Sequence, residues 1–437
     1  MDWASTRAWP LRRLTTLIIL LMTFFVSRLL GSDASTAPDS NHARKGIVYV
    51  VLAVDTEPFH VSGIGKEVEL DLSNFLPDTS KIIARVMSPE WRANFTDSFG
   101  GHPKFTWFVV TSELICHAAG CLAVFDAMQN FSNDVKQFGD EIGWHYHHTD
   151  WHECVSAGKS DSSWIQLVSF DGTTYADGAD VELCENVMNQ LIADRGFFPV
   201  SFRAGWVWEN NEFSRWLENV IPFDLSSSPP LKTLSNDSTR CRANESDWSR
   251  APIALVPYHP DMADYQSRGE MKRLVSRSLL KNLTTNELRM LSAFADSGSD
   301  AILSIPIHSY SNLRFAFGQK LETVIAQLSR NGTSFKFATC AEAFQPFVGS
   351  VPSKQLKLEL HQKDGTIVIK ANTETFSTQL YVVVRNSSGM LKRAIPRKTG
   401  ERTWALDLAG LDAMEIYVAG STLAGESVVQ SIVVTPR

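Results

Sequence analysis

Between residues 47 and 338 the chain repeats one device. A short apolar, β-branched or aromatic run stops at a polar or charged residue, and a helix-like stretch leads to the next run. The first runs are residues 47–54, then Asp55-Thr56-Glu57; residues 105–110; residues 141–144, then His145 to His148; and residues 200–202, then Arg203. They continue with residues 221–223, then Asp224; residues 253–256, then Tyr258-His259; residues 301–307, then His308; and residues 335–338. Continuous apolar runs suit strands buried on both faces, as in parallel sheets. Their alternation with helical stretches predicts a βα barrel or an open α/β sheet. Both folds carry their chemistry at the carboxyl ends of the strands. Asp55, Glu57, His145, His147, Arg203, Asp224 and His308 all fall there.

Four of the chain's eleven His lie in the phrase Trp144-His145-Tyr146-His147-His148-Thr149-Asp150-Trp151-His152. His145 and His147 are two apart, which on an extended chain puts both imidazoles on one face. With a carboxylate from another strand end, Glu57 or Asp55, they would complete a two-His, one-carboxylate site for a divalent metal, most simply zinc. Asp55 and Glu57 also share a face. One can bind the metal while the other serves as a base on water.

These residues resemble the motifs of the polysaccharide deacetylases of the NodB-homology type, carbohydrate esterase family four. Asp55-Thr56-Glu57 is similar to the acidic pair that ends the first strand. Phe105-Thr106-Trp107-Phe108-Val109 resembles the second strand, and the phrase from Gly139 to His147 resembles G-x-E-I-G-x-H. Ser201-Phe202-Arg203-Ala204-Gly205, Phe223-Asp224-Leu225-Ser226-Ser227 and Ser304-Ile305-Pro306-Ile307-His308 resemble the later motifs, in the family's order. The resemblance spans residues 46–347 and implies a distorted (β/α) barrel. It implies Asp55 as catalytic base, Arg203 as its orienting partner, His308 as general acid, and Glu57, His145 and His147 as metal ligands. The implied reaction is metal-dependent removal of N-acetyl, less often O-acetyl, groups from a polysaccharide or glycan. Three positions depart from the pattern. Thr149 stands four after His145 where the second His is usual, so His147 or His148 takes that role. Asp-Thr-Glu replaces an adjacent Asp pair. Ala-Gly follows Arg203 in place of Pro-Pro. Trp144, Trp206, Asp224 and His259 flank these motifs and are expected to line the substrate cleft. A carbohydrate-binding protein on a degenerate barrel, or a hydrolase of another amide C–N bond, are the competing readings.

Outside this region the texture differs. Arg7, Arg12 and Arg13 precede the apolar residues 14–27, too short at about 1.5 Å per residue to cross a bilayer comfortably. Residues 1–31 therefore read as a signal peptide or signal anchor, and residues 32–45, rich in Ser, Ala, Asp and Pro, as a linker. The chain is expected outside the cytoplasm, secreted or held at the membrane by this segment. Seven N-x-S/T sequons, at Asn94, Asn130, Asn236, Asn244, Asn282, Asn331 and Asn386, and an even set of six Cys agree with export. Residues 350–437 alternate with a period of two between turn signals such as Asp364-Gly365, which predicts a small antiparallel β-sandwich. The net charge of −7 comes without a basic stripe and argues against a nucleic-acid partner. No G-x-S-x-G phrase points to a serine nucleophile.

Overall fold

The computed structural model describes residues 44–60, 69–156, 159–166, 179–228, 232–233, 246–253, 255–278, 283–349 and 355–435. The described residues from Lys45 on belong to one compact unit, Lys45–Arg437. The targeting and linker segments expected at residues 1–43 lie outside the described residues. Among the described residues no helix is long and apolar enough to cross a membrane.

In this unit, seven parallel strands run round a ring in chain order: β1 (Val48–Thr56), β2 (Phe105–Ser112), β3 (Glu141–His147), β4 (Ser201–Ala204), β5 (Phe223–Ser227), β6 (Leu274–Arg277) and β7 (Ala301–His308). β7 pairs with β1 over its whole length, and a parallel bridge from Ser278 to Ser304 brings β6 against β7. The result is a nearly closed, distorted (β/α) barrel. A short β8 (Phe335–Phe337) pairs with the start of β1. Alternate residues of β1 explain why its sequence is a continuous apolar run. Tyr49, Val51 and Ala53 pack inside the barrel with Phe108, Leu225 and Ile302, while Val48, Val50, Leu52 and Val54 pack outward into the larger core. The outer layer includes α1 (Glu113–Ala119), α2 (Ala179–Arg195), α3 (Asn211–Leu217), α4 (Thr285–Asp296) and α5 (Leu313–Arg330).

One expected strand is misplaced. Of the run expected at residues 253–256, Ile253, Leu255 and Val256 lie outside any strand, near Pro252, Pro257 and Pro260, which have no N–H to give to a ladder. The sixth barrel strand is instead Leu274–Arg277, where Leu-Val-Ser-Arg carries no apolar run to reveal it.

After residue 355, two antiparallel sheets of four strands form the β-sandwich. One has the order β9 (Leu358–Lys363), β10 (Thr366–Ala371), β14 (Thr403–Asp407), β13 (Arg397–Gly400). The other has the order β12 (Leu391–Ala394), β11 (Tyr381–Arg385), β15 (Glu415–Ser421), β16 (Ser427–Val433). The Asp364-Gly365 turn joins β9 to β10 with both residues at positive φ, 48° and 74°, as a two-residue hairpin requires. Tyr381 and Tyr417 share an apolar cluster with Val187, Met188 and Leu191 of α2, and Arg385 pairs with Asp194 at 2.7 Å. The sheet holding β11 and β15 thus packs on the barrel's outer layer, while Leu358, Ile367, Val382, Trp404 and Ile416 form a separate core between the two sheets. Cys116 and Cys121 form a disulfide, and Cys340 is a buried thiol.

Candidate metal centre

Strand register brings the candidate residues together before any side chain is considered. Asp55 faces His308 across β1 and β7, and His145 faces Arg203 across β3 and β4. The chain just beyond β1 is pinned, because Ser309 donates its N–H to the Asp55 carbonyl at 2.8 Å and its hydroxyl to the Glu57 carbonyl at 3.1 Å.

Three ligand atoms then converge. Glu57 Oε1 lies 2.9 Å from His147 Nε2 and 3.3 Å from His145 Nε2, and the two Nε2 atoms are 3.0 Å apart. In a tetrahedral zinc site with bonds of about 2.0–2.1 Å, neighbouring ligand atoms stand about 3.3 Å apart, so this triangle fits one face of such a site. The donor set also calls for a cation. His145 Nδ1 is 2.7 Å from the Arg203 carbonyl, to which it must donate. In the neutral ring Nε2 is then a bare acceptor aimed at the carboxylate oxygen of Glu57, an opposition that a positive ion between them relieves. Burial lowers the His147 pKa despite the opposing pull of Glu57, which favours the neutral, ligating form. Burial pushes the Glu57 carboxyl up, but the His145 and His147 imidazoles beside it outweigh burial and hold the group well below its ordinary range.

Asp55 stands beside the triangle and outside it. Arg203 Nε donates to both its oxygens, at 2.8 and 3.0 Å. Burial raises the Asp55 pKa, but Arg203, aided by His145 and His308, more than offsets it, and the group is held ionised below the usual range. Arg203 is itself anchored, its Nη1 donating to the Leu225 carbonyl at 3.0 Å and to Ser278 Oγ at 2.7 Å. His308 closes the opposite side, its Nε2 being 4.0 Å from Asp55 Oδ2 and 3.8 Å from Glu57 Oε1. It is 45% exposed and stacks on the 53% exposed Tyr310, with ring centroids 4.8 Å apart and an interplanar angle of 11°.

The choice between His147 and His148 has a structural answer. His148 turns its ring away, between Trp208 at 4.3 Å and Phe213 at 4.6 Å. His147 has room because residue 205 is glycine, where a Cβ would sit 2.4 Å from His147 Cγ. The next two residues, Trp206 and Val207, take left-handed φ values of 49° and 54°, which are strained for non-glycine residues and most of all for a β-branched one. Trp248 Nε1 holds this turn by donating to the Val207 carbonyl at 2.6 Å. The turn sets the Trp206 indole, 45% exposed, against the edge of His147 at 4.4 Å.

Three of the four residues expected to line the cleft are placed differently from Trp206. Trp144 is a core residue, 1% exposed, packed on Tyr146, Phe202 and Trp216 with its indole N–H on Thr111 Oγ1. Strand alternation turns it away from the side that His145 presents. Asp224 is fully buried and bonded to Arg273 and to the Ser226 N–H, on the opposite side of β5 from the interior residues Phe223 and Leu225. His259 is exposed, on a segment whose carbonyl takes the Gly269 N–H. Conversely, Ser278, Ser309 and Tyr310 support the site although no motif marks them, and Gly205, noted only as a departure after Arg203, makes room for His147. Ser278 follows the strand that the sequence concealed, while Tyr310, two residues past His308, was within reach of inspection.

No family model matches the chain, and no curated protein matches it. Among solved structures it is similar in fold to the Puue allantoinase, with 13% identity, a TM-score of 0.38, and coverage of 73% of this chain and 96% of that one. It is similar also to a probable polysaccharide deacetylase from Pseudomonas aeruginosa PAO1, with 14% identity, a TM-score of 0.38, and coverage of 74% and 97%. The chemistry is read from this chain's own side chains.

Proposed function

We propose that this protein is a metal-dependent hydrolase that removes N-acetyl, or less often O-acetyl, groups from a glycan outside the cytoplasm. The observation that carries the reading is the Glu57, His145 and His147 triangle set beside a second carboxylate, Asp55, tied to its own arginine. The Cys116–Cys121 disulfide supports an oxidising compartment. A divalent ion held by the triangle, zinc by the chemistry of two imidazoles and a carboxylate, supplies Lewis acidity toward an acetyl carbonyl and toward water.

The chain's own groups do the proton work. Asp55, kept ionised by Arg203, accepts the proton of the attacking water. His308, exposed at the mouth and on the far side of Asp55, gives a proton to the leaving amine nitrogen as the C–N bond breaks, so acetate and a free amine result. Trp206 and Tyr310 stand on either side of the mouth, where their rings can pack on a sugar face.

Acetate release by the purified chain, with and without chelator, across N-acetylated and O-acetylated glycans tests the reading. It expects release that chelation abolishes and zinc restores. Metal and glycan binding with no acetate from any of these substrates would replace it with a carbohydrate-binding role.

A further inference from the structure

The side of α2 that meets the sandwich does not look like a surface made only for burial. Leu183, Asn186, Val187, Gln190 and Asp194 recur at spacings of three and four, which puts them on one stripe of the helix. A stripe used only for packing is apolar, yet amides and a carboxylate interleave this one. The five residues form one wall of a cavity of about 670 Å³. Arg385, Gly389 and Leu391 of the β11–β12 hairpin form the facing wall. Tyr146, from the strand that carries His145 and His147, also lines it, and the Cys116–Cys121 disulfide lies at its edge.

The size suits a small-molecule site, for which about 300–1,000 Å³ is usual. Among the described lining residues the one guanidinium, Arg385, is paired with Asp194 at 2.7 Å, and the His117 imidazole is the one further basic group, a weak set for holding a phosphate. An acyl chain is equally unsuited, because it would bury the amides and the ion pair without partners. Asn186 and Gln190 each offer donors and an acceptor, as hydroxyl groups do, while Leu183, Val187 and Leu391 offer an apolar surface to C–H groups.

We propose that this junction cavity binds a neutral saccharide unit, held by Asn186 and Gln190 against Leu183, Val187 and Leu391, and that the C-terminal sheets serve to build its second wall. This site is separate from the chemistry at the barrel mouth. The test is calorimetric titration of the full chain carrying Asp55→Asn with N-acetylchitotetraose and with cellotetraose. The Asn186→Leu/Gln190→Leu double variant keeps the helix, since Leu favours it, and removes the polar contacts. It should weaken at least one binding event by roughly tenfold or more, as should the cavity-filling Leu391→Trp, while Trp206→Ala leaves that event unchanged. Binding of neither probe, or a loss that follows Trp206→Ala and not the α2 pair, overturns the proposal. Binding that depends on the α2 pair, when the chain with Asp55 intact releases no acetate, would sink the hydrolase reading and leave this one standing.

Discussion

Two of the places where the barrel buries charge are built differently. At the mouth, Glu57 and Asp55 sit among His145, His147, His308 and Arg203, and the side toward His308 and Trp206 is open. On the outside of the wall, Asp224 and Glu209 meet Arg273, all three inaccessible to solvent, with Arg273 also donating to Ser214 Oγ. Two carboxylates cannot stay buried and ionised without a cation nearby. On the outside of the wall the chain supplies the cation itself, in a position no ligand reaches. At the mouth it supplies one arginine for one carboxylate and surrounds the other with bare imidazole nitrogens. The difference separates a cluster closed on itself from one that is open on one side and could hold a metal ion.

Arg273 gives the largest expected effect. Arg273→Met leaves the buried acidic pair Glu209 and Asp224 without its cation and should destabilise the fold by about 3–5 kcal/mol in denaturant unfolding. Adding Glu209→Gln and Asp224→Asn to that variant should restore much of the loss, because the buried charge is then gone. Were the single and triple variants equally unstable, packing and not charge would explain the cluster. At the mouth, Asp55→Asn should lower turnover by about 10²–10⁴ while metal content stays at the wild-type level. His147→Ala should lower metal content where His148→Ala does not, as read by elemental analysis. If Asp55→Asn loses the metal and Glu57→Gln keeps it, the two carboxylates have exchanged roles.

The clusters also titrate in opposite directions. Burial, with Glu209 beside it, pushes the Asp224 pKa up to about 8 despite Arg273. Unfolded Asp titrates near 3.9, so between about pH 4 and about pH 8 the folded state holds a proton that the unfolded state has released, and stability falls as pH rises through that window. Asp55 and Glu57 are depressed, so what they contribute is present above about pH 4 and lost as pH falls below it. Unfolding free energies measured across this range should decline toward pH 8 in the wild type and flatten in Asp224→Asn. A slope that survives the substitution would assign it to another group.

Much of this arrangement was legible because barrel strands buried on both faces leave continuous apolar runs, and because a strand end is where such a run must stop. That logic located β1, β2, β3, β4, β5 and β7, and with them Asp55, Glu57, His145, Arg203 and His308. It failed at β6, whose Leu-Val-Ser-Arg is only half apolar, and at the edge strands β12 and β13, which bury too little to show a pattern. It misread Trp144 and Asp224 for a related reason. Proximity to a strand end says nothing about which face a side chain takes, and a shift of one residue reverses the face. Gly205 became meaningful only when the ring of His147 was seen where its Cβ would be.

The smallest expected effect lies at the open rim, where the two clusters differ most. No Arg273-like partner fixes His308. What holds its half-exposed imidazole is a parallel stack on Tyr310, itself more than half exposed. Aromatic pairs of this kind contribute about 0.5–1.5 kcal/mol, so Tyr310→Ala should cost only a few-fold to about tenfold in turnover, with metal content unchanged. Tyr310→Phe keeps the ring and should retain most of the activity, which separates stacking from any role of the hydroxyl. Loss in both variants would assign the effect to the hydroxyl, close enough to Glu57 and Asp55 for their charge, after burial, to raise its pKa to about 12. Full activity in both would mean that Asp55 and Glu57 position His308 unaided, and the mouth would then be as self-sufficient as the cluster around Arg273.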